Sequence, residues 1–290
     1  MCQTATAVPH RAALRVLELA GRAPSAHNAQ PWAWRVRPRS LELHLDPART
    51  AASGIDAEAA ERNAVVSCGA ALHHLEVAAA ALGWEARVLL LPEPGHPTLL
   101  ARLGLVRRPP APEAGARLDA LLQRCTDRRR FTAWPVEPAA LVDLAAVAAP
   151  YGATVLPVLD AVDHARLERL VLRAVEASAR SGLDDGDHAV ELWSSDGVLV
   201  LGDADDDRRA WLRSGRGLGA LWLEATRAGL SVVPLSRVVE LPETRQALRG
   251  EVLGRRLRPH LLLRIGWQAI GRSGVRLTSR LPVEELLLDD

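Results

Sequence analysis

Two polar clusters carry residue types suited to binding a small charged molecule. The first is "RAPSAHNAQPWAWRV", residues 22–36. Between its prolines lie Ser25, His27, Asn28 and Gln30, short side chains that donate and accept hydrogen bonds. Trp32 follows with a face for stacking. The second cluster is "RCTDRRRF", residues 124–131, where Arg124, Arg128, Arg129 and Arg130 flank Thr126. Guanidinium forks bind phosphate through paired hydrogen bonds, and a threonine hydroxyl adds another. Alone, the first cluster reads as a helix-to-strand loop and the second as a solvated basic loop. Together they offer what a phosphorylated aromatic cofactor needs: neutral groups and a stacking ring on one side, cations on the other.

The elements that must position these clusters are legible from periodicity and punctuation. A helix over 9–21 leads into the first cluster, and short alternating strands over 33–37 and 41–45 follow it. A long helix is predicted over 57–82, stopped by Gly83, and "EARVLLLP" reads as a strand. The proline-rich stretch that follows marks a connector or hairpin. Helices over 112–123 and 138–148 bracket the second cluster. Then come a strand in "ATVLPVLD", a helix over 163–180, strands in "GVLVLGD" and "SVVPLS" with a helix over 208–228 between them, and a strand in "RPHLLLRIGW".

This order contains a repeat. "SCGAALHHLEVAAAALGW" (67–84) aligns with "RSGRGLGALWLEATRAGLS" (213–231), so that Gly69 meets Gly215, Leu72 meets Leu218, Leu75 meets Leu221, Ala79 meets Ala225 and Gly83 meets Gly229. Small residues on one face suit two helices packed closely together. Any two alanine- and leucine-rich helices share some of this pattern, but both copies also occupy matching places in the order of elements. The repeat divides the chain into halves at 1–110 and 111–290, one intertwined unit.

Composition bounds the reading. A chain of 290 residues with 48% hydrophobic and 24% charged residues is that of a globular protein. The formal net charge of +1 gives no global field for nucleic acid or an anionic membrane. Every basic residue besides histidine is arginine; with no lysine, no Schiff base can form and arginine is the only fixed cation. Cys2, Cys68 and Cys125 are widely separated, which predicts reduced thiols and a cytoplasmic location. No signal peptide is expected, and no membrane span, because the apolar stretches are interrupted.

"APSAHNAQPWAW" resembles the nitroreductase-like flavoproteins, which read P-S-x-x-N-x-Q-P-W there; Pro24, Ser25, Asn28, Gln30, Pro31 and Trp32 match. "RCTDRRRF" is similar to that family's R-x-S-x-R/K motif through Arg124, Thr126 and Arg128. "TSRLP" (278–282) resembles its K-x-R-L-P segment through Arg280, with Thr278 where lysine is common. In ordinary members the motifs run in the opposite order in one short chain that dimerises, with FMN at the interface. The inverted order and doubled length resemble the fused, Acg-type actinobacterial branch, in which one chain imitates the dimer and keeps one flavin site. The resemblance implies an α+β fold of two fused nitroreductase-like halves, an intrachain pseudo-dimer with long central helices and mixed or antiparallel sheets.

The same resemblance implies FMN as cofactor, NAD(P)H as electron donor and a small-molecule substrate, in a monomeric pseudo-dimer or a homodimer. Arg124, Thr126, Arg128 and Arg280 would hold the phosphate and ribityl chain. Ser25 and Asn28 would meet the flavin ring, and Pro234, Leu235 and Ser236 would pass near its N5. Ser236 stands where many relatives carry an acidic residue. His27 belongs to the Acg-like pattern and lines the substrate face or satisfies backbone groups. No side chain is assigned as an acid or base. Two other readings share the fold: FMN storage without turnover, expected if a lid covers the flavin, and a tailoring dehydrogenase. The stretch from Arg180 to Trp193 is short for a lid.

Other features take plainer explanations. "GRGLG" (215–219) falls inside a predicted helix, not at a strand-to-helix turn, so it is not a dinucleotide fingerprint. "DADDD" (203–207) precedes a helix, where carboxylates cap. His73 and His74 are neighbours that point different ways, a poor pair of metal ligands. Trp134, Trp211, Trp222 and Trp267 are expected in the core.

Overall fold

The computed structural model describes residues 9–50, 55–180, 192, 196–269 and 278–288. The first helix, α1 (His10–Ala20), turns its Val16, Leu17 and Ala20 inward and stops at Gly21. Strands β1 (Trp32–Arg37) and β2 (Ser40–Leu45) form a tight antiparallel pair. A single turn, α2 (Pro47–Thr50), precedes the long helix α3 (Ala57–Ala81). Asp56 caps α3 by accepting from the backbone N–H groups of Glu58 and Ala59. Its other end turns out through Gly83 at φ 81°, a left-handed position that favours glycine. Strands β3 (Trp84–Leu90) and β4 (Leu99–Arg107) complete the first sheet in the order β1-β2-β4-β3, so the proline-rich stretch is the bend of a hairpin.

The second half repeats this plan with insertions. Helices α4 (Ala114–Gln123) and α5 (Pro138–Ala146) flank the arginine-rich segment, and β5 (Thr154–Pro157) follows. Helix α6 (Ala161–Arg180) is inserted before β6 (Gly197–Asp203). Helix α7 (Arg208–Arg227), capped by Asp207 and ended by Gly229 at φ 76°, mirrors α3. Strand β7 (Ser231–Leu235) leads to two short helices, α8 (Arg237–Glu240) and α9 (Pro242–Ala247), and then to β8 (Arg258–Gly266). The second sheet has the order β5-β6-β8-β7, the same as the first, and both sheets are antiparallel. Even the ladder irregularity recurs, at Leu43/His44 and at Leu201/Gly202.

Helices α3 and α7 cross at the centre, inside a core that reaches the inner faces of both sheets. Gly69 and Gly215 meet at the crossing, as the repeat predicts. Helix α3 is long and apolar enough to cross a membrane, but it is sheathed here: 83% of its most apolar window is buried inside the fold. A smaller core lies under α6, built on Leu167, Leu170, Val198, Val233 and Leu262. The tail returns to the first half, where Leu287 bridges Trp34 and Leu288 N–H donates to Trp34 O.

The tryptophans depart from expectation. Trp211 and Trp222 are buried, but Trp134 is 75% exposed and Trp267 36%. Trp134 sits in the irregular stretch before α5, where no sheet or helix face covers it. "GRGLG" lies within α7, and its glycines let that helix approach α3, Ala148, Ala153 and His73. Cys68 is buried and Cys125 half-buried, both as free thiols; Cys2 lies outside the described residues.

Candidate cofactor site between the halves

The segment from Ser25 to Gln30 is a short 3-10 turn with three residues in the left-handed region: His27 (φ 51°), Asn28 (φ 55°) and Gln30 (φ 49°). Non-glycine residues there cost on the order of 1 kcal/mol each and persist only where neighbours hold them. The neighbours are identifiable. Ala26 N–H donates to Ser67 Oγ at 3.2 Å, and Gln30 N–H donates to Ser25 Oγ at 3.1 Å. Asn28 is clamped to the tail: its Nδ2 donates to Ser279 O at 3.2 Å, and its Oδ1 accepts from Arg280 Nη1 at 2.9 Å. Gln30 Oε1 accepts from Leu281 N–H at 2.9 Å.

The arginine-rich segment is shaped by side chains, not by regular structure. Arg129 closes on Asp127, with Nη2 to Oδ2 at 2.6 Å. Arg264 Nη2 donates to Arg129 O, and Gln268 Nε2 donates to Asp127 O, fastening the segment to the end of β8. The guanidinium of Arg264 stacks on the Phe131 ring at 4.3 Å. The run is therefore not one cationic block: Arg129 is committed to Asp127, Arg124 is buried against Trp222, and Arg128 lines the gap between the halves.

That gap is a cavity of about 480 Å³. Ser25, His27, Asn28, Thr126, Arg128, Pro234, Leu235, Ser236 and Arg280 all line it, drawn from sequence positions spread across both halves. Gln30 and Arg124 lie behind its wall, buried. Sequence reasoning missed several lining residues. Asn63 and Ser67 lie one turn apart on α3, and this polar pair on an apolar helix was a usable signal. Trp222, read as core, is buried and also lines the cavity. Arg237, His260 and the α6 residues Val171, Val175 and Ser178 carried no local signal. Residues 181–191 and 193–195, the stretch short for a lid, lie outside the described residues.

The electrostatics favour an anion at one end. Arg124 packs over the Trp222 ring at 4.8 Å and donates one hydrogen bond, from Nη2 to Arg22 O. Its Nε and Nη1, and Nε of Arg280, are buried with no hydrogen-bond partner among the described residues. Burial, then the charge of Arg280, pushes Arg124 down to about 9. Burial and Arg22 likewise lower Arg280. Three guanidinium groups repelling one another beside unsatisfied donors are a setting that a phosphate would relieve.

Among the described residues, the position that the repeat pairs with the cavity wall is filled differently. In the alignment Trp222 corresponds to Glu76 and Leu218 to Leu72. Glu76 pairs with Arg216 at 2.7 Å, and Arg216 packs over Tyr151 at 5.0 Å. His73 meets the same Tyr151 ring edge-on, so the mirrored position is filled by side chains.

No family model matches the chain. Individual proteins do. The "Putative NAD(P)H nitroreductase Rv3131" of Mycobacterium tuberculosis is 33% identical over 314 aligned residues, covering 94% of this chain and 90% of the relative. The "Putative NAD(P)H nitroreductase acg" of the same organism is 30% identical, covering 93% of each. Among solved structures, a protein described as a putative nitroreductase from Anabaena variabilis superposes with a TM-score of 0.63 over 89% of this chain and 88% of its own, at 11% identity, a likeness of fold alone. With such relatives matched across nearly its whole length, the chain belongs to the Acg-type branch of the NAD(P)H nitroreductase family.

Proposed function

We propose that the cavity binds FMN and that the protein is an FMN-dependent oxidoreductase, taking hydride from NAD(P)H and giving it to an electron-poor small molecule. The observation that carries this reading is the buried, under-satisfied cation group of Arg124 and Arg280 beside a cavity that also presents neutral polar groups and Trp222. Arg128, Arg280 and Thr126 would hold the phosphate, with Arg124 supplying field from behind. Ser25 and Asn28 would meet the polar edge of the ring, and the backbone of Pro234–Ser236 would run along it. Bound FMN supplies the hydride chemistry; the protein binds, orients and excludes water.

One observation favours a second reading, FMN storage. Helix α6 puts the apolar side chains of Val171 and Val175 on the cavity wall, beside the space the flavin would occupy. One experiment separates the two. The protein is loaded with FMN and mixed anaerobically with NADPH or NADH. Rapid loss of the yellow flavin band supports the oxidoreductase; a bound flavin that stays yellow supports storage.

A further inference from the structure

We propose that Asn63 accepts a hydrogen bond from the imide N–H on the pyrimidine edge of the flavin, and that Glu240 is the residue that turns the Asn63 amide that way. The proposal rests on the FMN reading above. Asn63 lies on α3, 7% exposed, in the cavity wall. Its Nδ2 donates to Glu240 Oε1 at 2.8 Å. Glu240, at the end of α8, is buried, with its side chain 1% exposed. Two further nitrogens face its carboxyl: His27 Nε2, 3.2 Å from Oε1, and Arg237 Nη1, 3.4 Å from Oε2.

The chemistry of the pair fixes the amide's orientation. Burial pushes Glu240 up, but hydrogen bonds from His27 and Ser236 and the charges of His27 and Arg237 outweigh it. They hold the carboxyl below its ordinary range, as an anion. An ionised carboxylate only accepts hydrogen bonds, so the amino end of the Asn63 amide faces it and the carbonyl end faces away. Asn63 Oδ1 forms no hydrogen bond among the described residues. An acceptor left so, on a residue this buried and in a cavity wall, is one that a ligand's donor would satisfy.

The neighbours narrow the choice of ligand. Ser67, one turn further along α3, is spent: its Oγ donates to Asn63 O at 2.7 Å and accepts from Ala26 N–H at 3.2 Å. That second bond brings Ser25 beside α3. Ser25 Oγ accepts from Gln30 N–H at 3.1 Å, so what it keeps for the cavity is its own O–H donor. Asn28 shares the wall, but its Nδ2 and Oδ1 already hold Ser279 O and Arg280 Nη1. The wall therefore presents an acceptor, Asn63 Oδ1, and a donor, the Ser25 hydroxyl. Their complement is an N–H next to a carbonyl, the pattern of a cyclic imide. The pyrimidine ring of FMN carries that pattern at N3.

Methylating the flavin at N3 removes this donor and leaves the ring carbonyls and the phosphate in place. In fluorescence titrations of flavin-free protein, wild type should bind FMN about 30-fold or more tightly than N3-methyl-FMN, because the methyl group leaves Asn63 Oδ1 unpaired. Asn63→Ala should bind FMN about tenfold more weakly and prefer it over N3-methyl-FMN by about threefold or less. Glu240→Gln, whose amide can meet Asn63 with either end, should lose part of the same preference. A role confined to holding the fold would weaken both flavins together and leave their ratio unchanged. Wild type that binds both flavins equally overturns the proposal, as does Asn63→Ala that keeps the wild-type ratio. Both results leave the FMN reading intact. A wild-type protein that takes up neither flavin overturns that reading and the proposal with it.

Discussion

Gly69 and Gly215 face each other where α3 and α7 cross, each backbone filling the space where the other's Cβ would stand. A Cβ on Gly69 would lie 2.8 Å from Gly215 Cα, and one on Gly215 would lie 2.7 Å from Gly69 Cα. Each residue thus touches its own counterpart in the repeat, the signature of a two-fold contact, here within a single chain. The close approach joins the two halves and sets the width of the gap between them.

Substituting either glycine should force the helices apart, because the obstructing atoms are backbone. Gly215→Ala is expected to destabilise by about 1–3 kcal/mol in urea unfolding. Gly115→Ala is the control. A Cβ there meets nothing within 4 Å, and alanine in the first turn of α4 should stabilise slightly, by about 0.5–1 kcal/mol.

Arg124 should behave as a residue kept for its ligand, not for the fold. Its charge is buried beside Arg280 with two nitrogens unsatisfied, so the free protein gains little from it. In Arg124→Met the melting temperature of FMN-free protein should hold or rise. The increase that added FMN produces in wild type should shrink. Differential scanning calorimetry with and without FMN reads both quantities.

Asp206 governs acid stability. Burial raises its pKa, but the His260 imidazole 3.3 Å away and hydrogen bonds from Arg245 and Trp211 outweigh that and hold it well below the usual carboxylate range. A depressed folded-state pKa stabilises above the unfolded value and is lost as pH falls through the folded one. Wild type should therefore lose stability steadily as pH drops below the ordinary aspartate value of 3.8. Asp206→Asn should be less stable at neutral pH by about 2–3 kcal/mol and show a shallower acid limb, measured by urea unfolding across the pH series.

Much of this architecture was readable because its causes are local. Asp56 and Asp207 announce helix starts, Gly83 and Gly229 announce ends, and strand alternation is a neighbour-to-neighbour pattern. The loop from Ser25 to Gln30 was equally legible, being one contiguous motif. What escaped depends on packing between distant segments. Asn63 and Glu240 meet across 177 positions, and nothing in "RVVE" marks its acid as part of a site. The four-arginine run looked uniform, but Asp127 removes Arg129 from it through a side-chain contact. The helical pattern places Trp222 in the core, where it is buried; its second role as cavity wall comes from the space that α7 leaves open.

One FMN per chain should bind, in the cavity built from both halves. Fluorescence titration of flavin-free protein with FMN measures this, with saturation expected at one equivalent per chain. Asn28→Ala in the first half and Arg128→Ala in the second should each weaken binding by about tenfold or more. No uptake of FMN, two equivalents per chain, or undiminished affinity in both variants would contradict it.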